Sequence, residues 1–328
     1  MSGILASQQL AIGIDIGGTN TVFGLVDIRG EIKYRGAISS RKHDAVEDYI
    51  DELYEAVMPA IEQVGGKDYI RGIGIGAPNG NYYSGNIEYA PNLKWKGVVP
   101  MSDMINKKFG LPTALTNDAN AAAVGEMMYG AAKGMKDFIM ITLGTGVGSG
   151  IVANGQLILG HDGFAGELGH TIIIPNGRLH PGTGAKGSLE VYCSATGVRY
   201  TALEMLEKYS GEASLLHNYS KDEIDSKVVY DCAIQGDKIA NEVYQFTGEI
   251  LGRSLANFIM FSSPEAIILF GGLCKAGDLL VNPTKEHMEA NLLPIFRNKV
   301  KLVYSELKEA DAAILGASAL VWEIKQPS

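Results

Sequence analysis

Asn117 and Asp118 are the residues whose types and position best suit chemistry in this chain. They follow a partly apolar, β-branched run at Thr113–Thr116, which predicts a short strand, and they precede an alanine-rich segment that predicts a helix from Ala119. A carboxylate between a strand end and a helix start occupies the usual position of active-site residues in α/β proteins. Asp118 is therefore a candidate catalytic group, although Asn117 or Asp118 could instead serve only as the helix N-cap.

Two glycine-rich turns indicate the binding of anionic groups. The stretches Asp15-Ile16-Gly17-Gly18-Thr19-Asn20 and Gly144-Thr145-Gly146-Val147-Gly148-Ser149-Gly150 each follow or end a buried apolar strand. Glycines let backbone N–H groups approach an anion closely, because no Cβ intervenes. A single Gly-Gly-Thr turn is weak support, since most Gly-Gly turns only join the strands of a hairpin.

The arrangement of strands around these turns occurs twice. A strand, a Gly-Thr turn, a second strand, a tight turn with glycine and a third strand span residues 10–38 and again residues 138–159. A repeated supersecondary unit predicts a duplicated domain that faces itself across a cleft. Two glycine turns that point into one cleft could bind a polyphosphate from both sides.

Further polar and glycine residues could complete a site. Glu167 and His170 are three positions apart and share a face if their segment is helical, although His170 could instead be a core histidine and Glu167 a cap. Residues 265–273 predict a buried strand that ends in a third glycine turn at Gly271 and Gly272. This turn is placed to receive the base or ribose of a nucleotide.

The remaining patterns predict an α/β protein of two domains. A chain of 328 residues exceeds the size at which one hydrophobic core usually stops growing. Residues 80–99, rich in Asn, Tyr and Gly, predict a long loop. Periodicity predicts helices at residues 45–64, 101–109, 197–209, 226–234, 238–261 and 310–324, and further strands at residues 71–77 and 300–305.

Composition excludes several classes of protein. The net charge of −9 and the lack of a basic run argue against a nucleic-acid surface. Cys193, Cys232 and Cys274 are few, odd in number and scattered, which is typical of a reducing compartment. No apolar run approaches the ~20 residues that span a bilayer, and residues 1–6 do not resemble a signal peptide. We therefore expect a cytoplasmic protein that binds neither membrane nor nucleic acid.

Taken together, the motifs resemble the ROK sugar kinases, bacterial members of the actin/hexokinase/Hsp70 superfamily. The resemblance implies an α/β fold of two actin-like (ribonuclease H-like) domains with a central cleft, built from duplicated βββαβαβα units. It implies a small domain at residues 1–117, completed by a helix at residues 311–328, and a large domain at residues 118–310. The matching stretches are Asp15 to Asn20, Asn117-Asp118-Ala119-Asn120-Ala121-Ala122, Leu143 to Gly150, Gly166-Glu167-Leu168-Gly169-His170 and Phe270-Gly271-Gly272-Leu273.

The resemblance also implies an activity, an ATP-dependent transfer of phosphate to a hexose, with glucokinase as the nearest match. Asp118 would be the general base, and Asp15 would lie near a Mg²⁺ bound with ATP. A homodimer is expected. The hexose would be bound by Asn79, Asn92, Asn117, Asp118, Glu167, His170 and Glu190, and the nucleotide by Asp15, Gly17, Gly18, Thr19, Asn20, Thr145, Gly146, Gly271 and Gly272.

Other functions remain open at this point. The acceptor could be N-acetylmannosamine, N-acetylglucosamine, fructose or allose, because few loop contacts distinguish such sugars. ROK transcriptional regulators share the same body, but they carry an N-terminal winged helix-turn-helix for which the residues before Leu10 leave no room. An ATPase without a sugar substrate is disfavoured by the cluster of Glu167, His170 and Glu190.

One departure from the family pattern concerns zinc. Family members usually carry Cys-x-Cys-Gly-x-x-Gly-Cys before the glutamate that matches Glu190, and these cysteines bind structural zinc with the histidine that matches His170. Pro181, Thr183 and Ser188 occupy the three cysteine positions here. Proline and hydroxyl groups supply no thiolate, and His180 and Cys193 nearby are too irregularly spaced to replace the set. We therefore expect no structural zinc, so another contact must orient His170.

Overall fold

The computed structural model describes residues 9–323. Most of its strands lie close to the predicted positions, and the helix predicted at residues 311–328 lies only in part within the described range. In that range the strands are β1 (Leu10–Ile16), β2 (Asn20–Asp27), β3 (Ile32–Ser39), β4 (Ile70–Gly76), β5 (Ile87–Glu88), β6 (Val98–Val99), β7 (Thr113–Thr116), β8 (Phe138–Leu143), β9 (Val147–Ala153), β10 (Gln156–Leu157), β11 (Ala266–Phe270) and β12 (Lys301–Tyr304).

The helices also follow the predicted order, with two additions. Their bounds are α1 (Val46–Gln63), α2 (Met101–Phe109), α3 (Asp118–Tyr129), α4 (Glu190–Cys193), α5 (Ala195–Lys208), α6 (Ser226–Ala233), α7 (Lys238–Ser262), α8 (Asp278–Asn291) and α9 (Glu309–Glu323). Neither α4 nor α8 was expected from the sequence. None of these helices is both long and apolar enough to cross a membrane.

The two large sheets have the same topology. One has the order β3-β2-β1-β4-β7 and the other the order β10-β9-β8-β11-β12. In each, three antiparallel strands from a meander continue into two parallel strands. The repeat that the glycine turns predicted is therefore present in the strand order of both sheets.

Each sheet has its own hydrophobic core. Ile12, Ile14 and Ile73 belong to the first core, and Ile139 and Ile267 belong to the second. The central strands are covered on both faces, which explains why their sequences are continuous apolar runs rather than alternating ones. The first sheet ends at β7, directly before Asn117, and α9 packs on that sheet. The predicted domain boundaries stay a prediction.

Helix α9 approaches its neighbours unusually closely. A Cβ on Gly74 of β4 would lie 1.9 Å from the backbone oxygen of Ala317 in α9, so only glycine fits there. Where α9 crosses α3, a Cβ on Gly125 would lie 2.8 Å from the Cα of Gly316. The small residues Gly316 and Ala317 of this helix therefore lie at its contacts with α3 and with the first sheet.

The segment at residues 80–99 differs from the predicted loop. It carries the two short antiparallel strands β5 and β6, with Ile87 paired to Val99. Trp95 from the same segment is buried, and its ring lies 4.4 Å from that of Tyr49 on α1. Trp95 thus anchors the segment to the first core, while Tyr83 and Tyr89 of the same segment are exposed.

Candidate functional site

A cleft of about 440 Å³ is lined by residues that follow the carboxyl ends of β4, β7, β8 and β11. In α/β sheets this edge is the usual place for ligands. Both halves of the repeat contribute to it. Its lining includes Asn79, Asn92, Asn117, Asp118, Thr142, Thr145, Gly146, Glu167, Glu190, Phe270 and Gly271.

Asn117 and Asp118 have different roles at the start of α3. The Asn117 side-chain oxygen accepts a hydrogen bond from the Asn120 backbone N–H at 2.7 Å, so Asn117 is the N-cap. Oδ1 of Asp118 accepts one from the Ala119 N–H at 2.9 Å. This carboxyl is open to water from the cleft, but protein atoms crowd it on its other sides. Burial raises the Asp118 pKa, and the bond from Ala119 opposes the rise.

The carboxyl group of Asp15, near the end of β1, is repelled by that of Asp118. Burial raises the pKa of the Asp15 carboxyl to about 7, and repulsion from Asp118 contributes to this rise. The Asp118 carboxyl is therefore close enough to affect the ionisation of Asp15. Sequence separation gave no indication of this coupling.

Glu190 is held between two donors at the start of α4. Its Oε2 accepts a hydrogen bond from the Val147 backbone N–H at 2.7 Å, and its Oε1 lies 2.5 Å from Nε2 of His180. Gly146 makes room for this carboxylate, because a Cβ there would lie 2.3 Å from Oε2. The side chain of Glu190 thereby packs against the second glycine turn.

Glu167 and His170 lie near the cleft, but not on one face of an α-helix. Leu168–His170 is a short 3-10 turn, and Nε2 of His170 is 3.8 Å from Oε2 of Glu167. Burial raises the pKa of Glu167, and the neighbouring His170 opposes this rise. Glu167 lines the cavity, whereas His170 is not among the lining residues and has its ring centroid 5.8 Å from that of His180.

The two predicted asparagines from the first half also reach the cleft. Asn79 has a φ of 51°, a left-handed conformation that asparagine tolerates better than most residues. Its Nδ2 donates to the Glu88 carbonyl oxygen at 2.9 Å, which ties the end of β4 to β5. Asn92 lies against Gly18, where a Cβ on the glycine would be 3.0 Å from the Asn92 oxygen.

The two glycine turns do not contribute equally. Thr145 and Gly146 line the main cavity. The turn at residues 17–20, including Gly17, Thr19 and Asn20, lies beside the cavity, next to Asn92. There the Gly18 oxygen accepts a hydrogen bond from Nε of Arg41 at 2.9 Å. Arg41 is a cation at this turn that the sequence analysis did not single out.

A second cavity of about 560 Å³ adjoins the first through the wall formed by Gly144 and Thr145. The third glycine turn borders both cavities: Gly271 lines the first, and Gly272 lines the second. Sequence reasoning missed the helical residues here, because they read as ordinary helix faces without a motif. They are Ser226, Lys227, Tyr230, Asp231 and Tyr244.

Three groups able to bind a metal also lie together. Ligand atoms of His170, His180 and Glu190 are within 4.8 Å of one another. Cys193, which the sequence placed near this region, is fully buried, and its thiol donates to the Thr247 carbonyl oxygen at 3.6 Å. Its sulfur is therefore directed away from the histidines. The position of His180 near this region was expected from the sequence, whereas its contact with Glu190 was not.

Comparison with known proteins settles the family. The model of the ROK family matches residues 11–324. The chain belongs to the ROK family. Glucokinases from Halalkalibacterium halodurans and Thermotoga maritima are 35% and 34% identical, over 98% and 95% of this chain and 96% and 97% of their own lengths.

Solved structures support the same assignment for this ROK protein. A ROK family glucokinase from Streptomyces griseus, crystallised with glucose and AMPPNP, is 32% identical and has a TM-score of 0.76 over 95% of this chain and 98% of its own. The predicted α/β fold of the actin-like type is thereby confirmed. A putative xylose repressor from Caldicellulosiruptor is 28% identical over 95% of this chain, which spans 78% of the repressor.

Proposed function

We propose that this protein transfers the γ-phosphate of ATP to the primary hydroxyl of a hexose, with glucose as the acceptor. The observation that carries the proposal is the position of Asp118, in one cleft with the Thr145-Gly146 turn and with polar groups suited to a polyol. The similarity to glucokinases, including one crystallised with glucose and an ATP analogue, supports ATP and glucose as the substrates.

Asp118 would be the general base. The Ala119 N–H occupies Oδ1, which orients the carboxylate and leaves Oδ2 to accept a proton from the attacking hydroxyl. The raised pKa makes Asp118 a stronger base than a free aspartate, provided it is ionised. In phosphoryl transfer most of the acceleration comes from positioning and from charge stabilisation, so one well-placed carboxylate is sufficient.

The sugar would be bound by the amides and carboxylates around Asp118. Asn79, Asn92 and Asn117 offer both donors and acceptors, while Glu167 and Glu190 offer acceptors for hydroxyl hydrogens. Each Glu190 oxygen already accepts one hydrogen bond and has capacity for a second. Such a carboxylate presents a fixed acceptor to the sugar and pays little entropy on binding.

The nucleotide would extend across both cavities. The adenosine would occupy the second cavity near Gly272, and the phosphates would pass Thr145 to reach the first. The cation on Arg41 at the first glycine turn and the backbone of both turns would contact the phosphate oxygens. This path brings the terminal phosphate towards Asp118.

Mg²⁺ fits the donors of this cleft. Repulsion from Asp118 raises the electrostatic cost of ionising Asp15, and a nearby divalent cation would lower it. Asp15 would hold the ion together with ATP oxygens and water. When bound, the ion would neutralise charge on the phosphates.

A coupled assay of ADP release with a panel of sugars tests the proposal. We expect ATP turnover only with a hexose, and most efficiently with glucose. A preference for N-acetylmannosamine, N-acetylglucosamine, fructose or allose would change the acceptor and keep the reaction. Sugar binding without any turnover would instead indicate a sugar-sensing regulator, the class to which the similar repressors belong.

Asp118→Asn tests the base. We expect kcat to fall by about 10²–10⁴-fold, the usual contribution of a general base, while sugar still binds. Asp103→Asn is a matched control, because Asp103 is also in the first turn of a helix but is exposed on α2. Near-normal turnover in Asp118→Asn would remove Asp118 from this role.

A further inference from the structure

His180 lies in a short hairpin that has no role in the proposed phosphate transfer. Leu179 pairs with Lys186 in this hairpin, and the His180 backbone N–H donates to the Ala185 oxygen at 2.7 Å. The side chain is largely buried and points towards Glu190. The hairpin therefore places an imidazole directly behind a carboxylate that lines the cleft.

The hydrogen bonds of His180 fix which ring nitrogen carries the proton. The backbone N–H groups of Gly182 and Thr183 both donate to Nδ1, at 3.0 and 3.1 Å. A nitrogen that accepts two N–H groups has no room for its own hydrogen, so the hydrogen of the neutral ring is on Nε2. Nε2 therefore donates to Oε1 of Glu190 at 2.5 Å.

The same geometry disfavours a metal at this point. A metal bound by Nε2 would require the hydrogen to move to Nδ1, where it would face the two N–H groups of Gly182 and Thr183. The cluster of His170, His180 and Glu190 is close enough for an ion, but this ring is set up as a donor. The hydrogen bond to Glu190 thus competes with a metal for the same nitrogen.

We propose that His180 is a positioning residue that fixes the Glu190 carboxylate for the sugar, without a metal. Val147 holds Oε2 from the second glycine turn, and His180 holds Oε1 from the hairpin, so the carboxylate has one defined orientation. This inference rests on the proposed function, in which Glu190 accepts hydrogen bonds from the hexose. Removing the His180 donor would let the carboxylate rotate and weaken sugar binding.

The hairpin has a second attachment that does not depend on His180. The Arg178 backbone N–H donates to the Tyr192 hydroxyl at 2.7 Å, and its guanidinium lies 4.6 Å from the Tyr192 ring centroid. The guanidinium also donates to Thr201 and Glu204 on α5. A change at His180 is therefore expected to act locally on Glu190 rather than to detach the hairpin.

Two near-isosteric variants distinguish the contributions of the two ring nitrogens of His180. In His180→Asn the amide oxygen takes the place of Nδ1 and keeps the bonds from the hairpin, but the donor to Oε1 of Glu190 is lost while Val147 still holds Oε2. In His180→Gln the amide nitrogen takes the place of Nε2 and keeps the donor to Glu190. His217→Asn, at an exposed position, is the control.

We expect His180→Asn to raise KM for glucose by about 2- to 10-fold, because the Glu190 side chain, no longer held at Oε1, must then be ordered when the sugar binds. Its kcat should fall by a smaller factor. His180→Gln should stay much closer to the wild type, and His217→Asn should match it. Equal KM values in all variants of an active enzyme would overturn the role of His180 alone, whereas a wild type inactive with every sugar would refute the proposed function.

The position of the proton on the His180 ring can also be measured directly, without an activity assay. Long-range ¹H–¹⁵N spectra of the free protein should give the Nε2–H tautomer for the ring that disappears in His180→Asn, and the spectrum should not change with EDTA. An Nδ1–H tautomer, or a signal that depends on added Zn²⁺ at micromolar concentration, would overturn the proposal in favour of a metal site.

Discussion

Replacing Asp15 by asparagine should stabilise the free protein at alkaline pH. The folded chain raises the pKa of this carboxyl from 3.8 to about 7. Each unit of pKa difference corresponds to about 1.4 kcal/mol, so full ionisation costs the folded state up to about 4 kcal/mol. Asp15→Asn keeps the shape of the side chain and removes this cost.

The sign of the effect depends on pH. A carboxyl with a raised pKa in the folded state binds a proton that the unfolded chain has already released, so stability falls as the pH rises from about 4 to about 7. Below that window both states are protonated, and above it the whole cost is present. The variant and the wild type should therefore be similar near pH 4 and differ most near pH 8.

Urea unfolding followed by tryptophan fluorescence measures this difference in the relevant half of the molecule. Trp95 is buried in the first core, and Trp322 on α9 donates to the Tyr129 hydroxyl at 2.9 Å. Asp222→Asn is the control, because that side chain is fully exposed. An Asp15→Asn difference that is equal near pH 5 and near pH 8 would refute the reasoning about Asp15.

Three further outcomes are expected. Because the pKa of Asp118 is raised, kcat/KM should fall on acidification at a higher pH than it would with an ordinary aspartate as the base. A pH profile that stays flat down to the usual aspartate range would contradict this. Gly74→Ala should lower the free energy of unfolding by about 1–3 kcal/mol, because its Cβ would overlap a backbone oxygen of α9, whereas Gly211→Ala, at an open position, should have no effect. Asp237→Ala should lower the stability measured in thermal melts more than Asp225→Ala does. Loss of an N-cap costs about 0.5–2 kcal/mol, and Asp237 is buried and accepts two backbone N–H groups, whereas Asp225 accepts one. Equal losses of stability in the two variants would contradict this.

Local patterns were sufficient for most of the regular structure. β7 and α2 have the predicted bounds, and α3 begins at the predicted strand–helix junction. These elements carry strong periodicity or clear turn signals, which depend only on neighbouring residues. The glycine motifs also predicted the duplicated topology and the family.

Helix α8 shows where local patterns were insufficient. It contains Pro283 near its middle, and its apolar face is weakly marked in the sequence. The helix packs on α7, where Gly248 and Gly252 leave space for Pro283 and Thr284. Its position is therefore stabilised by a partner distant in sequence, and no local signal reports that partner.

The sequence by itself determined the chemical groups of the cleft and their order along the chain, because residue type and spacing are local properties. Only the tertiary structure decided how those groups affect each other. Asp15 lies on β1 and Asp118 begins α3, and His180 reaches Glu190 across a hairpin. Burial and hydrogen bonding depend on what surrounds a side chain in space, so the raised pKa of Asp15 and the hydrogen bond from Nε2 of His180 to Glu190 exist only once the chain has folded.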